Sequence, residues 1–285
     1  MTRASTQFCV VALAIGLTLA APPALADGEP AAERTGVVAF EAESGLYVID
    51  ANGGTPRKIP GTKPGDGNPV WSPDGRLLSF ERERQGNWDV YVMSADGSGQ
   101  RRLTFSPMDD DFARWAPDGR SLVFQSTRRR SFDHVDVYAI RVSTGAARRV
   151  TPDGEYPDWA PDMRIIFAHA GDFFTVRPYG LDRRPLASQP PGSALAALVS
   201  NDGQKIAYIR YDDDGLFVAQ IDGSEPRRLT TSPSVDNDPV WSPDDKWVAF
   251  DRGDSLRDIY VVREDGSELT RLTHLRTACC PDWRP

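Results

Sequence analysis

Three aspartates, Asp66, Asp110 and Asp236, each stand five residues ahead of a tryptophan: Trp71, Trp115 and Trp241. Near them lie an amide and further acids: Asn68, Asp109, Asp111, Asp153, Glu155 and Asp238. If the fold gathers these stretches on one face, their carboxylates repel one another. A hard cation such as Ca²⁺, or the lysines and arginines of a protein partner, would relieve that repulsion. Aspartate also favours turns, so the same pattern suits a merely solvated rim. Residues for other chemistry are sparse. His134, His169 and His274 are the only histidines, without H-x-H or H-E-x-x-H spacing. An imidazole-held metal or acid–base pair therefore requires the fold to converge them, and loop or surface positions are the simpler expectation. No G-x-S-x-G occurs. Cys279 and Cys280 are adjacent. Their Cα atoms lie about 3.8 Å apart, so a bond between them is strained. In an oxidising compartment the expected states are that rare vicinal bridge or a mixed intermolecular bond, with free thiols as the alternative.

What must position these residues is a repeat. "PVWSPDG" at 69–75 returns as "PVWSPDD" at 239–245, with looser copies "ARWAPDG", "PDWAPDM" and "ALVSNDG" between them and "PDWRP" at the end. Aligned on the tryptophan, the spacings are 44, 44, 40, 42 and 42 residues, Val199 taking one tryptophan position. Each unit then carries an aromatic (Phe80, Phe124, Phe167, Tyr208, Phe250), a second in an alternating stretch such as "DVYVM" or "DIYVV", and a close such as "RRLT". "SPDG" suits a type I turn and Asp-Gly suits a hairpin, so each unit reads as four short strands. Four strands every ~40–45 residues make a blade of a β-propeller.

Five complete units follow residue 60, and 36–60 supplies three strands of another, whose missing first strand is "CPDWRP" at 280–285. The expected fold is all-β: a six-bladed propeller of four-stranded antiparallel blades, closed by pairing the two chain ends, with helix nearly absent. The Trp series is expected to pack between blades. The Arg pairs 101–102, 148–149 and 227–228 fall on the outermost strands, where charge discourages edge-to-edge association.

The N-terminus has Arg3, a short apolar run and Ala24 and Ala26 before Asp27. This is the pattern of a secretory signal peptide over 1–26, followed by a short linker at 27–35 and one propeller domain over 36–285. The expected location is periplasmic or extracellular. Losing Arg3 leaves 32 basic against 41 acidic residues, net −9. That balance argues against nucleic acid and anionic membranes as partners, and no later stretch is apolar enough to insert in a bilayer.

The run "WSPDG…F…DVYVMSADGSGQRRLT" resembles the propeller repeat of the TolB family over 36–285, weakest in the fifth blade, with Val199, Asn201 and Met163 as departures. The α/β domain that precedes that family's propeller has no counterpart between Ala26 and the first strand. The resemblance implies a stand-alone, monomeric binding module that presents its loops to a secreted or envelope protein. The expected contact residues are Asp66, Asn68, Asp110, Asp111, Glu155, Asp236 and Asp238, on the face opposite the "SPDG" turns, holding a basic segment or Ca²⁺. The alternatives are a propeller lactonase or lyase with a channel-bound divalent cation, and a carbohydrate binder using aromatics such as Trp88 and Phe132.

Overall fold

The computed structural model describes residues 33–128, 135–189, 194–210 and 214–285. The expected leader, Phe132 and His134 lie outside them. The described residues form six antiparallel sheets of four strands each. Helical structure among them is limited to one 3₁₀ turn, Pro178–Gly180, and among the described residues no helix is long and apolar enough to cross a membrane. The innermost strands are Cys279–Trp283, Asp66–Trp71, Asp110–Trp115, Glu155–Trp159, Ala194–Val199 and Asp236–Trp241, in blades 1 to 6 respectively. Each touches the inner strands of both neighbouring blades, so the sheets close into a ring around an axis.

Blade 1 takes its inner strand from the C-terminus and the other three from Val37–Ala42, Gly45–Asp50 and Arg57–Lys58. Val38 pairs with Trp283 and Glu41 with Cys279. The Trp283 indole donates to Thr35 O at 2.8 Å. The closure legible in the repeat is thus the closure of the fold.

The recurring residue types have recurring places. The Trp115 indole donates to Val70 O and the Trp241 indole to Leu198 O, both at 3.0 Å, each reaching the preceding blade. These bonds satisfy a buried N–H while the rings fill the space between sheets. Within each blade the two aromatics stack across neighbouring strands, from Phe40–Tyr47 to Phe250–Tyr260, with centroids 5.4–5.9 Å apart. The threonine ending "RLT" accepts a third-strand N–H, as Thr104 does from Val90 and Thr273 from Ile259, both at 2.9 Å.

Two departures from the repeat compensate each other. Asp245 replaces the turn glycine of "SPDG" and holds φ 56°, which costs a non-glycine residue of order 1 kcal/mol. Its carboxylate accepts Asn201 N and Nδ2 at 2.8 Å and Asp202 N at 2.9 Å. The unusual asparagine of blade 5 and the unusual aspartate of blade 6 are one inter-blade anchor.

Candidate functional site

Asp66, Asp110 and Asp236 recur at the start of their inner strands, as expected, but they do not face solvent. All three are fully buried. Each meets an arginine from the second-strand side of its own blade: Arg82 at 2.5 Å, Arg128 at 2.8 Å and Arg252 at 2.5 Å. The arginines also lie over the stacked aromatic pairs, Arg82 over Phe80 and Tyr91 and Arg252 over Phe250 and Tyr260. Their charge is balanced inside the blade, so their mutual repulsion is not what a ligand would relieve. We expect Asp236→Ala to cost about 3 kcal/mol by urea denaturation, because it strands a largely buried guanidinium; an unchanged midpoint would contradict the assignment.

The axial wall is built by a different repeat. At the third position before each tryptophan, or before Val199, the chain bulges with positive φ: Cys280 (56°), Asn68 (45°), Phe112 (51°), Tyr156 (48°), Ala196 (50°) and Asp238 (47°). The ladder register slips at each of these points. A bulge re-aims side chains that strand alternation would otherwise separate. It also frees a backbone N–H, which the preceding blade satisfies from the residue after its first aromatic. Phe112 N donates to Glu81 Oε1 at 2.5 Å, Tyr156 N to Gln125 Oε1 at 3.0 Å and Cys280 N to Asp251 Oδ1 at 3.2 Å, and Asn68 N donates to Glu41. Ala168 and Ile209 hold the equivalent positions in blades 4 and 5, where no such bond is possible.

The wall is therefore acidic over blades 6, 1, 2 and 3. Burial, with the neighbouring Asp111 charge, pushes Glu81 up to about 8. Burial takes Asp111 to about 7 and, with Asp238 alongside, Asp251 to about 8. Glu41 is raised by burial too. Asn68 Nδ2 donates to Glu81 Oε2 at 2.7 Å, and Arg257 approaches Asp251 Oδ2 at 3.5 Å. Asp111 Oδ1 and Asp251 Oδ2 are buried without a hydrogen bond among the described residues.

Toward the "SPDG" face the axis widens to a cavity of about 270 Å³, lined by Trp71, Trp115, Trp159, Trp241, Trp283 and the turn prolines. Three charges stand in it, one place before the tryptophan: Arg114, Asp158 and Asp282. Asp282 Oδ2 accepts Trp71 N at 2.7 Å and Asp158 Oδ2 accepts Val199 N at 2.9 Å. Burial raises Asp158 and takes Asp282 to about 7, with Arg114 acting against it in both cases. Phe112 and Tyr156, edge to face at 4.8 Å, line the next pocket along with Asp238, and there the space falls to about 10 Å³. That leaves room for about one water.

Of the seven residues expected to meet a partner, Asn68, Asp111 and Asp238 are half-buried on the acidic wall, and Glu155 is exposed at the start of its strand. His169 ends a second strand beside Phe174 and His274 is exposed after blade 6; neither enters a metal-capable group among the described residues. Two of the arginine pairs are more than edge guards: Arg102 and Arg149 turn back to Asp89 and Asp136 at 2.8 and 3.4 Å, as the single Arg271 of "TRLT" does to Asp258 at 2.5 Å. The residues missed from the sequence were Glu41, Glu81, Asp251, Arg114, Asp158 and Asp282. Their signal was a polar residue at a fixed phase of an otherwise apolar strand, as in "LLSFE" and "WVAFD".

Residues 29–155 match the model of the Tricorn protease N-terminal β-propeller domain. Over 57 residues the chain is 42% identical to the Tol-Pal system protein TolB of Syntrophus aciditrophicus (strain SB), a stretch that is 20% of this chain and 13% of that relative's length. The crystal structure of TolB from Acinetobacter baumannii superposes with a TM-score of 0.76 at 20% identity, covering 88% of this chain and 67% of that one. The chain is a six-bladed propeller similar in fold to TolB. A structure of oligogalacturonate lyase in complex with manganese shares the fold more distantly, with a TM-score of 0.56 at 15% identity over 81% of this chain and 70% of that one. Proteins of different function thus share this fold, which does not choose among them.

Proposed function

We propose that this propeller is a non-catalytic binding module of the periplasm or extracellular space, which receives a basic segment of a protein partner at the acidic end of its axis. The observation that supports this most is the wall formed by Glu41, Glu81, Asp111, Asp238 and Asp251, where buried carboxylate oxygens outnumber the donors that face them. A lysine, arginine or free amino terminus supplies both charge and N–H groups to such a wall. Asn68, Asp111, Glu155 and Asp238 are its contact residues; Asp66, Asp110 and Asp236 hold the strands that carry them. Ca²⁺ at the same wall is the corresponding small ligand, with oxygen donors suited to it.

The test is fluorescence anisotropy with lysine- and arginine-rich peptides at several salt concentrations. Binding is expected to weaken with salt and to fall at least about tenfold in the Asp111→Asn, Asp238→Asn double variant. Salt-independent binding, or an unaffected double variant, would remove the acidic wall from the proposal. The rival reading is a propeller lactonase or lyase that uses a channel cation. Chelator-sensitive turnover of lactones or oligogalacturonides by the purified protein would replace binding with that activity.

A further inference from the structure

Cys279 and Cys280 occupy the bulge of the closing strand. Adjacent residues of a regular strand point to opposite faces, yet here the left-handed turn at Cys280 brings Cys280 Sγ to 3.0 Å from Cys279 Sγ. Three carboxylates surround the pair. One ligand atom each from Glu41, Cys279 and Cys280 lie within 4.8 Å of one another, and so do those of Asp238, Asp251 and Cys280. Cys280 is common to both sets. Asp251 is fully buried beside Asp238, with the Arg257 guanidinium 3.5 Å from its Oδ2.

We propose that this cluster is a binding site for a thiophilic divalent cation, Zn²⁺ in the first place, held by the sulfurs of Cys279 and Cys280 and by a carboxylate from each side, Glu41 and Asp238. Two sulfurs among the donors select a borderline-soft ion over Ca²⁺ or Mg²⁺, which take oxygen ligands. Zn–S bonds of about 2.3 Å and Zn–O bonds of about 2.0–2.2 Å set tetrahedral ligand separations of roughly 3.4–3.8 Å. Binding requires the sulfurs to part slightly from their 3.0 Å contact and the carboxylates to close on them, a side-chain adjustment. Asp251 keeps its bond to Cys280 N, fixing the backbone beneath one ligand, in the manner of outer-sphere support.

On binding, both thiols pass their protons to solvent, so two protons are released per cation and affinity rises with pH. The inference stands apart from the partner reading, because it concerns a metal titration of the purified chain alone.

The experiment uses the full mature chain, reduced and freed of metal, with two thiols confirmed by titration under denaturing conditions. Calorimetric titration with Zn²⁺ is expected to give one site per chain, and Co²⁺ in its place a sulfur-to-cobalt charge-transfer absorption that excess Zn²⁺ abolishes. Cys280→Ser should lose at least about half of that absorption and weaken Zn²⁺ at least about 100-fold, and Glu41→Gln should weaken it at least about tenfold, with both variants checked for native melting. The Co²⁺ spectrum needs no variant, so it remains decisive should Cys280→Ser fail to fold. Absence of stoichiometric Zn²⁺ binding, Co²⁺ bound without the sulfur absorption, or undiminished binding after alkylation of both thiols would each overturn the site.

Discussion

Removing residues 279–285 is expected to lower the melting temperature by at least about 10 °C, the largest effect foreseen for any short deletion in this chain. The segment is the whole inner strand of blade 1. Its Trp283 is buried in a cluster with Val38, Phe40, Ile49 and Trp247, which joins blade 1 to blade 6. Loss of the ring alone, as in Trp283→Ala, should cost about 4 kcal/mol, the usual figure for a buried tryptophan. The deletion adds the unpaired backbone of Val37–Ala42 and breaks the ring. Differential scanning calorimetry of wild type, Trp283→Ala and the truncation should therefore give three well-separated transitions in that order. A truncated chain melting within a degree or two of wild type would mean the ends do not close the propeller.

The second large effect is on pH. Glu81 and Asp251, held at about 8, and Asp111 and Asp282, held at about 7, keep protons in the folded state that the unfolded chain releases near pH 4. Between those limits the folded state binds more protons, so stability falls as pH rises and the full penalty is reached above about pH 8. Asp258 works oppositely. Bonds from Thr273, Arg276 and Arg271 outweigh burial and hold it below its usual value, so its contribution is present at neutral pH and disappears only in acid. With chelator present, the melting temperature should be highest near pH 5 and drop by roughly 5–10 °C on going to pH 8.5. Glu81→Gln should flatten that slope. A melting temperature that is level or rises up to pH 8.5 would show that the wall carboxylates are ionised in the folded protein.

The blade count, the strand order and the terminal closure were legible in the sequence because each depends on a short local signal repeated at one period: tryptophan, turn, aromatic, "RLT". The site was legible only in part. Asp66, Asp110 and Asp236 advertise themselves by the same period, yet that regularity marks them as blade scaffold, each answered by an arginine sixteen or eighteen residues later. Glu81, Asp251 and Glu41 are conspicuous only when neighbouring blades are compared at one phase, where Ala168 and Ile209 break the set. The juxtaposition of Cys279 and Cys280 depends on a left-handed bulge in a strand, which strand alternation argues against. The contact between Arg114 and Asp282, at 4.0 Å, joins residues of blades 3 and 1 that are far apart in the sequence.

The six bulges repeat their backbone conformation but not their side chains. Acids and amides occupy one arc of the bore, from Asp251 through Glu41 and Glu81 to Gln125, while Ala168, Ala196 and Ile209 occupy the other. A frame with six equivalent staves could accept a guest in six equivalent rotations. This bore is polar along one meridian and apolar along the other, so the near-symmetry of the ring is lost in its lining.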